Sequence, residues 1–157
     1  MKTARLNNLI KNIFIGILTA MMLFSFTACT KKVMFLTSSV VPAAEGYVYI
    51  KSDKNKNYVI QVSISNLAEV SRLKPSKETY VVWMVTDQEK AVNIGQFESS
   101  ASFLSKKLKA SFETVISHKP IKIFISAEND GSVQYPGELV VLTTNEFRIN
   151  RFARVFN

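Results

Sequence analysis

The sequence predicts an all-β protein, an antiparallel immunoglobulin-like β-sandwich of seven or eight strands that follows an N-terminal signal helix. Two observations lead to this prediction. Apolar residues alternate with polar ones in several short runs, which is the period of a half-buried strand. Glycine, proline, asparagine and aspartate separate these runs, and little of the chain has a helical period. A β-barrel remains the alternative, because strand number and spacing do not separate the two architectures.

The N-terminus has the pattern of an export signal. Three basic residues precede an uncharged apolar run over residues 13–26. A run of roughly 14 residues is shorter than the ~20 that a membrane-spanning helix needs. A basic start, a short apolar core and small residues at its end are typical of a cleaved signal peptide. We therefore predict that residues 1–28 are a signal peptide and take no part in the fold.

Cys29, the only cysteine of the chain, follows the apolar run. The tripeptide Thr27-Ala28-Cys29 resembles the lipobox of bacterial lipoproteins, in which the cysteine is diacylated on sulfur and becomes the new N-terminus. Phe26 stands where the lipobox usually has leucine. The resemblance implies that Cys29 is the lipidation site. The alternatives are an ordinary signal peptide with an unrelated cysteine, or an uncleaved anchor. Acyl chains at ~0.8 kcal/mol per buried methylene would hold the domain on a membrane.

Composition limits the size and the partners of the protein. Three of the 20 basic residues lie within residues 1–28, which leaves 17 against 12 acidic residues and a net charge of +5. These charges are mixed along the sequence, whereas nucleic-acid-binding proteins gather them on one helix or patch, so we expect no nucleic acid partner. A lone cysteine allows no internal disulfide. The remaining chain of about 129 residues is one domain's length.

The predicted elements start after the signal. Residues 33–36 are apolar enough for a first edge strand or for contact with the bilayer, and the proline, alanines and glycine at 42–46 indicate a tether. Residues 47–52 and 58–64 are predicted to be the two strands of a hairpin, because turn residues separate them. Residues 66–77 have apolar side chains at a spacing of three and predict a connector with one helical turn.

The most apolar segment after the signal is 79–86, which carries the only tryptophan, Trp83. Both of its faces are apolar, which predicts a strand buried on both sides. Trp83 is predicted to be the central ring of the sandwich core. A charged turn and a return strand follow at 87–90 and 91–97. The later strands are predicted at 108–116, 120–127 and 138–143, with turns at 128–131 and 135–137.

The order of these elements resembles the extracytoplasmic C-terminal domain of anti-sigma-K factors. The matching motifs are a Tyr-x-x-Trp strand at 80–83, an Ile-Gly-x-Phe return at 94–97, a strand that ends in Glu128, and a Pro-Gly pair at 136–137. The resemblance covers roughly residues 45–143 and implies a sandwich fold and an envelope location. Sigma-factor inhibition is not implied, because the segment before the domain is the predicted lipidated export signal.

Few residues suit catalysis or metal binding, and no catalytic, cofactor or metal site is predicted. The only histidine, His118, stands without other ligands or a nucleophile motif and is predicted to be an exposed turn residue. Asp53, Asn55 and Asn57 have the spacing that begins a calcium loop, but the glycine and glutamate of that loop are missing, so a hairpin turn is predicted. A solvated turn is predicted for Asp87 with Glu89 and Lys90. A turn is also predicted for Glu128 with Asp130, and part of an ion or ligand site is the alternative for this pair.

Residues 147–157 alternate apolar residues with arginine. They are predicted to be a last edge strand or frayed tail, or else a segment that binds the membrane surface or a partner. The predicted organisation is therefore a signal peptide at 1–28, a lipidated tether at 29–45, a sandwich at 46–146 and a basic aromatic tail at 147–157.

These observations predict a membrane-anchored lipoprotein of the bacterial cell envelope, with its domain outside the cytoplasm. It is expected to bind or sense without catalysis and without a cofactor. Its expected partners are the membrane, through the lipid anchor, and an envelope protein. The alternative is a structural or accessory subunit of an envelope complex. A concave pocket near Tyr47, Tyr49 or Tyr135 would favour ligand binding, and a flat apolar patch would favour a protein partner.

Overall fold

The computed structural model describes residues 30–53, 55, 57–97 and 110–149 of the chain. These residues form eight strands and one 3₁₀ turn, and the described part contains no α-helix. The elements are β1 (Thr30–Met34), β2 (Glu45–Ser52), β3 (Tyr58–Ser65), the 3₁₀ turn (Val70–Arg72), β4 (Thr79–Thr86), β5 (Ala91–Phe97), β6 (Ala110–Ile116), β7 (Pro120–Glu128) and β8 (Val140–Thr143). The all-β class, the strand number and the helical turn in the connector are confirmed.

The strands form two antiparallel sheets of four. The first sheet has the order β1-β2-β3-β6, and the second has the order β5-β4-β7-β8. Every second residue of the central strands points into one shared core, as in the fully buried series Tyr58, Ile60, Val62 and Ile64 of β3. Because the core is built from alternate positions of both sheets, the other positions of the first sheet form an open outer face.

Trp83 lies outside this shared core, so its predicted place at the centre of the sandwich is wrong. The core positions of β4 are Tyr80, Val82 and Met84. Trp83 has the opposite parity and packs in a separate, smaller cluster with Val81 and Phe124 on the outer face of the second sheet. Trp83 is nevertheless 0% exposed. The prediction that this strand is buried on both sides is therefore confirmed.

The loop between β7 and β8 covers the tryptophan cluster. The Asn93 side-chain amide donates hydrogen bonds to the carbonyl oxygens of Gly131 and Val133, each at 2.9 Å. Val133 also packs against the cluster. An outer sheet position therefore becomes a second, local core because a loop folds back over it.

The predicted tether at 29–45 is wrong for its described residues, which belong to the sandwich. β1 pairs with β2 over its whole length, from Thr30 opposite Lys51 to Met34 opposite Tyr47. The chain then crosses to the second sheet, where the Leu36 N–H donates to the Thr143 carbonyl at 2.8 Å. The reason is pairing: β1 satisfies the backbone groups of the β2 edge, and the crossing segment does the same for β8.

The fold also continues beyond residue 146. Phe147 and Ile149 are buried in the main core, and the Phe147 N–H donates to the Ile121 carbonyl at 2.8 Å. The first residues of the predicted tail therefore act as an extension along β7. Cys29 with the signal segment, and residues 150–157, lie outside the described residues. Within the part of the chain that the structure describes, no helix is long and apolar enough to cross a membrane.

Different loops and strand ends lie at the two ends of the sandwich. At one end, called the Thr30 end, lie the start of β1, the β2–β3 turn and the β6–β7 loop. The C-terminal extension reaches the same end, because Phe147 pairs with Ile121 at the start of β7. At the opposite end, called the Thr79 end, lie the connector at 66–78 and the end of β7. The first and last described residues therefore leave the fold on one side.

Candidate functional site: the outer face of the first sheet

A lysine and two tyrosines form the most distinctive cluster on the outer face of the first sheet. The rings of Tyr47 and Tyr49 lie 4.9 Å apart, centroid to centroid, at an angle of 60°. The Lys32 ammonium lies 4.3 Å from the Tyr47 ring centroid and 5.5 Å from that of Tyr49. A cation at these distances from ring faces is attracted by about 0.5–1 kcal/mol at an exposed site. The cluster therefore combines positive charge with aromatic surface.

Strand register brings these side chains together. Tyr47 and Tyr49 are two residues apart on β2 and so share a face. Lys32 is directly opposite Tyr49 on β1, and Met34 is opposite Tyr47. Met34 is 57% exposed, so an open thioether borders the aromatic pair.

A shallow depression of about 300 Å³ adjoins the cluster on the same face. Its floor follows the register across the sheet, since Tyr49 pairs with Gln61, and Gln61 pairs with Glu113. An ammonium, an amide and a carboxylate therefore surround a partly apolar floor. This arrangement suits a ligand with one flat apolar side and polar groups at its edge, or the side chains of a partner. The lining residues are Thr30, Tyr49, Lys51, Val59, Gln61 and Glu113.

A depression, the feature predicted to favour ligand binding, is present on this face, whereas the exposed apolar residues Met34 and Val115 stand apart on β1 and β6 and form no continuous patch. The depression borders Tyr49, as the ligand-binding prediction requires. Val115 on β6 is 58% exposed and, with Met34, gives the face open apolar positions at its two sides. Tyr135 lies elsewhere, in the β7–β8 loop of the second sheet, and is 82% exposed.

A buried polar chain lies on the opposite side of the molecule. The Trp83 indole N–H donates to the Ser126 hydroxyl at 2.8 Å, and this hydroxyl donates to the Glu128 carboxylate. The Gly137 N–H donates to the same carboxylate oxygen at 2.8 Å. Glu128 is only 6% exposed and is the last residue of β7, so its predicted place in a turn is wrong. The network attaches the β7–β8 loop to the sheet through these three hydrogen bonds.

The other singled-out residues are turn residues. The Asp53 carboxylate accepts hydrogen bonds from the Asn55 and Asn57 N–H groups at 2.8 and 2.7 Å, so the predicted hairpin turn is confirmed. His118 is exposed, with its Nδ1 3.4 Å from the Ser117 hydroxyl oxygen.

The acidic residues of two further turns, at 87–90 and at Asp130, are also exposed turn residues. Asp87, Glu89 and Lys90 are exposed in the β4–β5 turn, as predicted, and Glu89 has a φ of 60°. The backbone N–H and hydroxyl of Ser132 donate to the Asp130 carboxylate and lower the pKa of this carboxyl.

The sequence reasoning named Tyr47 and Tyr49 but missed Lys32. Lys32 could have been found from the alternation of residues 30–34. If this segment is a strand, Lys32 and Met34 lie on the same face of it. Among the described residues, no group of three or more His, Cys, Asp or Glu side chains is placed to hold a metal ion. No protein-family model matches the chain, and no curated protein or solved structure is similar to it.

Proposed function

We propose that this chain is a lipid-anchored protein of the bacterial cell envelope that binds a ligand or partner on the outer face of its first sheet, without catalysis. One observation carries the proposal. β1 begins at Thr30, directly after the candidate lipidation site Cys29, and places Lys32 over Tyr47 and Tyr49. The strand next to the anchor thus builds the binding face.

An immunoglobulin-like topology is part of the proposal. In such domains one sheet contains strands A, B and E, and the other contains C′, C, F and G. The order β2-β3-β6 fits the first set and β5-β4-β7-β8 fits the second, with β1 as an added edge strand. The tryptophan departs from the pattern, because Trp83 on the C-like strand faces outward.

We also propose that the chain shares its fold and its envelope location with the anti-sigma-K extracytoplasmic domain that it resembles. It is supported by contacts among three of its motif positions: Trp83 and Glu128 both bond to Ser126, and Gly137 bonds to Glu128. Residues that are far apart in sequence thus form one network.

The anchor is tested by replacing the only cysteine. We expect Cys29→Ser to abolish incorporation of labelled palmitate and to move the protein from the membrane fraction to the soluble envelope fraction, because no other cysteine can be acylated. Ser39→Ala, at an exposed position in the described chain, is the matched control and should stay on the membrane. Acylated, membrane-bound Cys29→Ser protein would show that the anchor assignment is wrong.

A structural or accessory subunit is the second candidate function. The exposed Met34 and Val115 favour it, since open apolar side chains at both sides of one face suit a protein contact. The lipidated protein can be crosslinked in its own envelope and its partner purified. A partner that is lost with Met34→Ser and Val115→Ser but retained with Tyr49→Ala would favour the subunit function over ligand binding.

A further inference from the structure

We propose that one corner of the domain rests on an anionic lipid surface and so orients the whole sandwich on the membrane. This corner, called the Thr30 corner, consists of Thr30, Lys31, Lys32, Tyr49 and Lys51. The inference rests on the proposed lipid anchor for its place in the cell. The contact itself depends on the lysine charges and tyrosine rings of the corner, which the anchor does not supply. The corner and the anchor can therefore be tested separately.

The first step is the length of chain between the anchor and the fold. A tether of 17 residues could hold the domain up to roughly 56 Å from the membrane, since an extended chain spans about 3.3 Å per residue. β1 instead begins at Thr30 and is paired with β2 from its first residue. Consecutive Cα atoms are about 3.8 Å apart, so an acylated Cys29 would bring the Thr30 corner to the headgroups.

The second step is charge. Lys31, Lys32 and Lys51 are all exposed, and they lie on two neighbouring strands at this corner. Two exposed acids share this outer face: Glu113 on β6, across the depression from Lys51, and Glu45 at the far end of β2. Lysine side chains near an anionic leaflet each strengthen binding by roughly fivefold.

Further positive charge lies at the same end of the molecule. Lys119 is in the β6–β7 loop, and Arg148 is exposed in the C-terminal extension. The β2–β3 turn closes on the Asp53 carboxylate, which is already occupied by backbone N–H groups. The other acids at this end, Asp87, Glu89 and Glu146, lie on the second-sheet side, in the β4–β5 turn and the C-terminal extension. On the first-sheet side of this end, Asp53 is therefore the one described acid near Lys31, Lys32 and Lys51.

The third step is the aromatic surface. Tyr47 and Tyr49 are half-buried and lie beside Lys32, with Met34 exposed next to them. Tyrosine has an apolar ring and a polar hydroxyl and is enriched at membrane interfaces. A face that combines tyrosines, lysine and methionine thus suits the headgroup region better than the hydrocarbon core.

The described Thr79 end lacks this combination. Its acids outnumber its bases: the acids are Glu45, Glu69, Glu78, Glu128 and Glu138, and the bases are Arg72, Lys74 and Lys77. Residues 98–109, between Phe97 and Ala110, contain Lys106, Lys107 and Lys109 but lie outside the described residues. Arg72, Lys74 and Lys77, all in the described connector, supply a matched control with the same change of charge.

The test uses the purified, acyl-free Cys29→Ser chain and sedimentation with vesicles of phosphatidylcholine alone or mixed with phosphatidylglycerol. We expect preferential binding to the anionic vesicles that weakens with salt. Lys31→Gln, Lys32→Gln and Lys51→Gln together should lower the partition coefficient by about 100-fold, at roughly fivefold per lysine. All variants keep residues 1–28, whose apolar run and three basic residues contribute equally to each of them, so the differences between variants test the corner.

The control variant replaces Arg72, Lys74 and Lys77 by glutamine and should change the partition coefficient by no more than about threefold, since the connector lies at the Thr79 end, roughly 20 Å along the strands from the corner and beyond a Debye length of ~10 Å. An equal loss in both variants, or no loss of binding to anionic vesicles in the Lys31, Lys32 and Lys51 variant, would overturn the proposal. The emission of Trp83 verifies that each variant is folded. Palmitate labelling of the unmutated chain tests the anchor separately. The anchor hypothesis and the corner hypothesis can therefore each be refuted without the other.

Discussion

Replacing Ser126 by alanine tests whether the buried network on the second sheet stabilises the fold. Ser126 is 0% exposed, accepts the Trp83 indole N–H and donates to the Glu128 carboxylate. The variant leaves the indole N–H without its acceptor, which costs about 1–3 kcal/mol for a buried group. It also removes a hydrogen bond to a carboxylate, a type that contributes about 1.5–3 kcal/mol. Glu128 keeps the Gly137 N–H.

We therefore expect Ser126→Ala to lower the free energy of unfolding by about 3 kcal/mol. With an m value of about 1.5 kcal/mol/M, the urea midpoint should fall by about 2 M. Trp83 is the only tryptophan, so its fluorescence reports the transition directly. Ser111→Ala, at an exposed position on β6, is the matched control and should change stability by less than about 0.5 kcal/mol.

A double-mutant cycle separates the indole bond from other effects of the substitution. In a Trp83→Phe background the indole N–H is absent, so Ser126→Ala should cost about 1–2 kcal/mol less than in the unmutated chain. Circular dichroism follows unfolding in that pair, because the fluorophore is gone. Equal costs in both backgrounds would refute the reasoning, since Trp83 and Ser126 would then contribute independently.

Two further predictions concern the main core. Burial raises the pKa of the Tyr80 phenol above its ordinary value of 10.0, so above pH 10 only the unfolded state ionises readily and stability should fall by ~1.4 kcal/mol per pH unit from this group. Urea unfolding at pH 9 and 11 should show a smaller alkaline loss for Tyr80→Phe. Gly95 has a φ of 143°, and a Cβ there would collide with the Phe112 ring. Gly95→Ala should therefore lower the free energy of unfolding by about 3 kcal/mol, measured by urea titration.

Each of these predictions has its own check. An identical alkaline loss in Tyr80→Phe and the unmutated chain would mean that another group controls stability above pH 10. For Gly95, the matched variant is Gly131→Ala, where the added Cβ meets only the flexible side chain of Gln96. We expect that variant to cost less than about 1 kcal/mol, and similar costs at both glycines would contradict the role of the fixed ring and the positive φ.

Sequence reasoning located most of the strands because their period is a local property. The alternation over Tyr58–Ser65 and the turn chemistry of Asp53 are visible in any stretch of a few residues, and both agree with the structure. For residues 33–36 the sequence permits an edge strand or a bilayer contact, and the structure has an edge strand, β1, at Thr30–Met34. The lysines at 31 and 32 interrupt the apolar pattern that predicts a strand. Lysine is nevertheless common on edge strands, where its charge prevents pairing with other chains.

The candidate site followed from sequence only in part. Tyr47 and Tyr49 were predicted, together with Tyr135, as residues near a concave pocket, and the depression borders Tyr49. Lys32 was missed because its contact needs the register of β1 on β2, which no local pattern specifies. Glu128 was placed in a turn because its neighbours are turn residues, whereas the bonds that bury it come from Ser126 and Gly137.

The sequence by itself determined the all-β class, the order of the strands and the turns between them, since each depends on residues that are close along the chain. The tertiary structure alone decided which face of β4 is the main core. Both faces are apolar, so the choice depends on the loop that folds over Trp83 and on the sheet that packs against Val82. It also decided that β1 starts at Thr30, inside the fold. Pairing and face selection require contacts between distant residues, which periodicity does not encode.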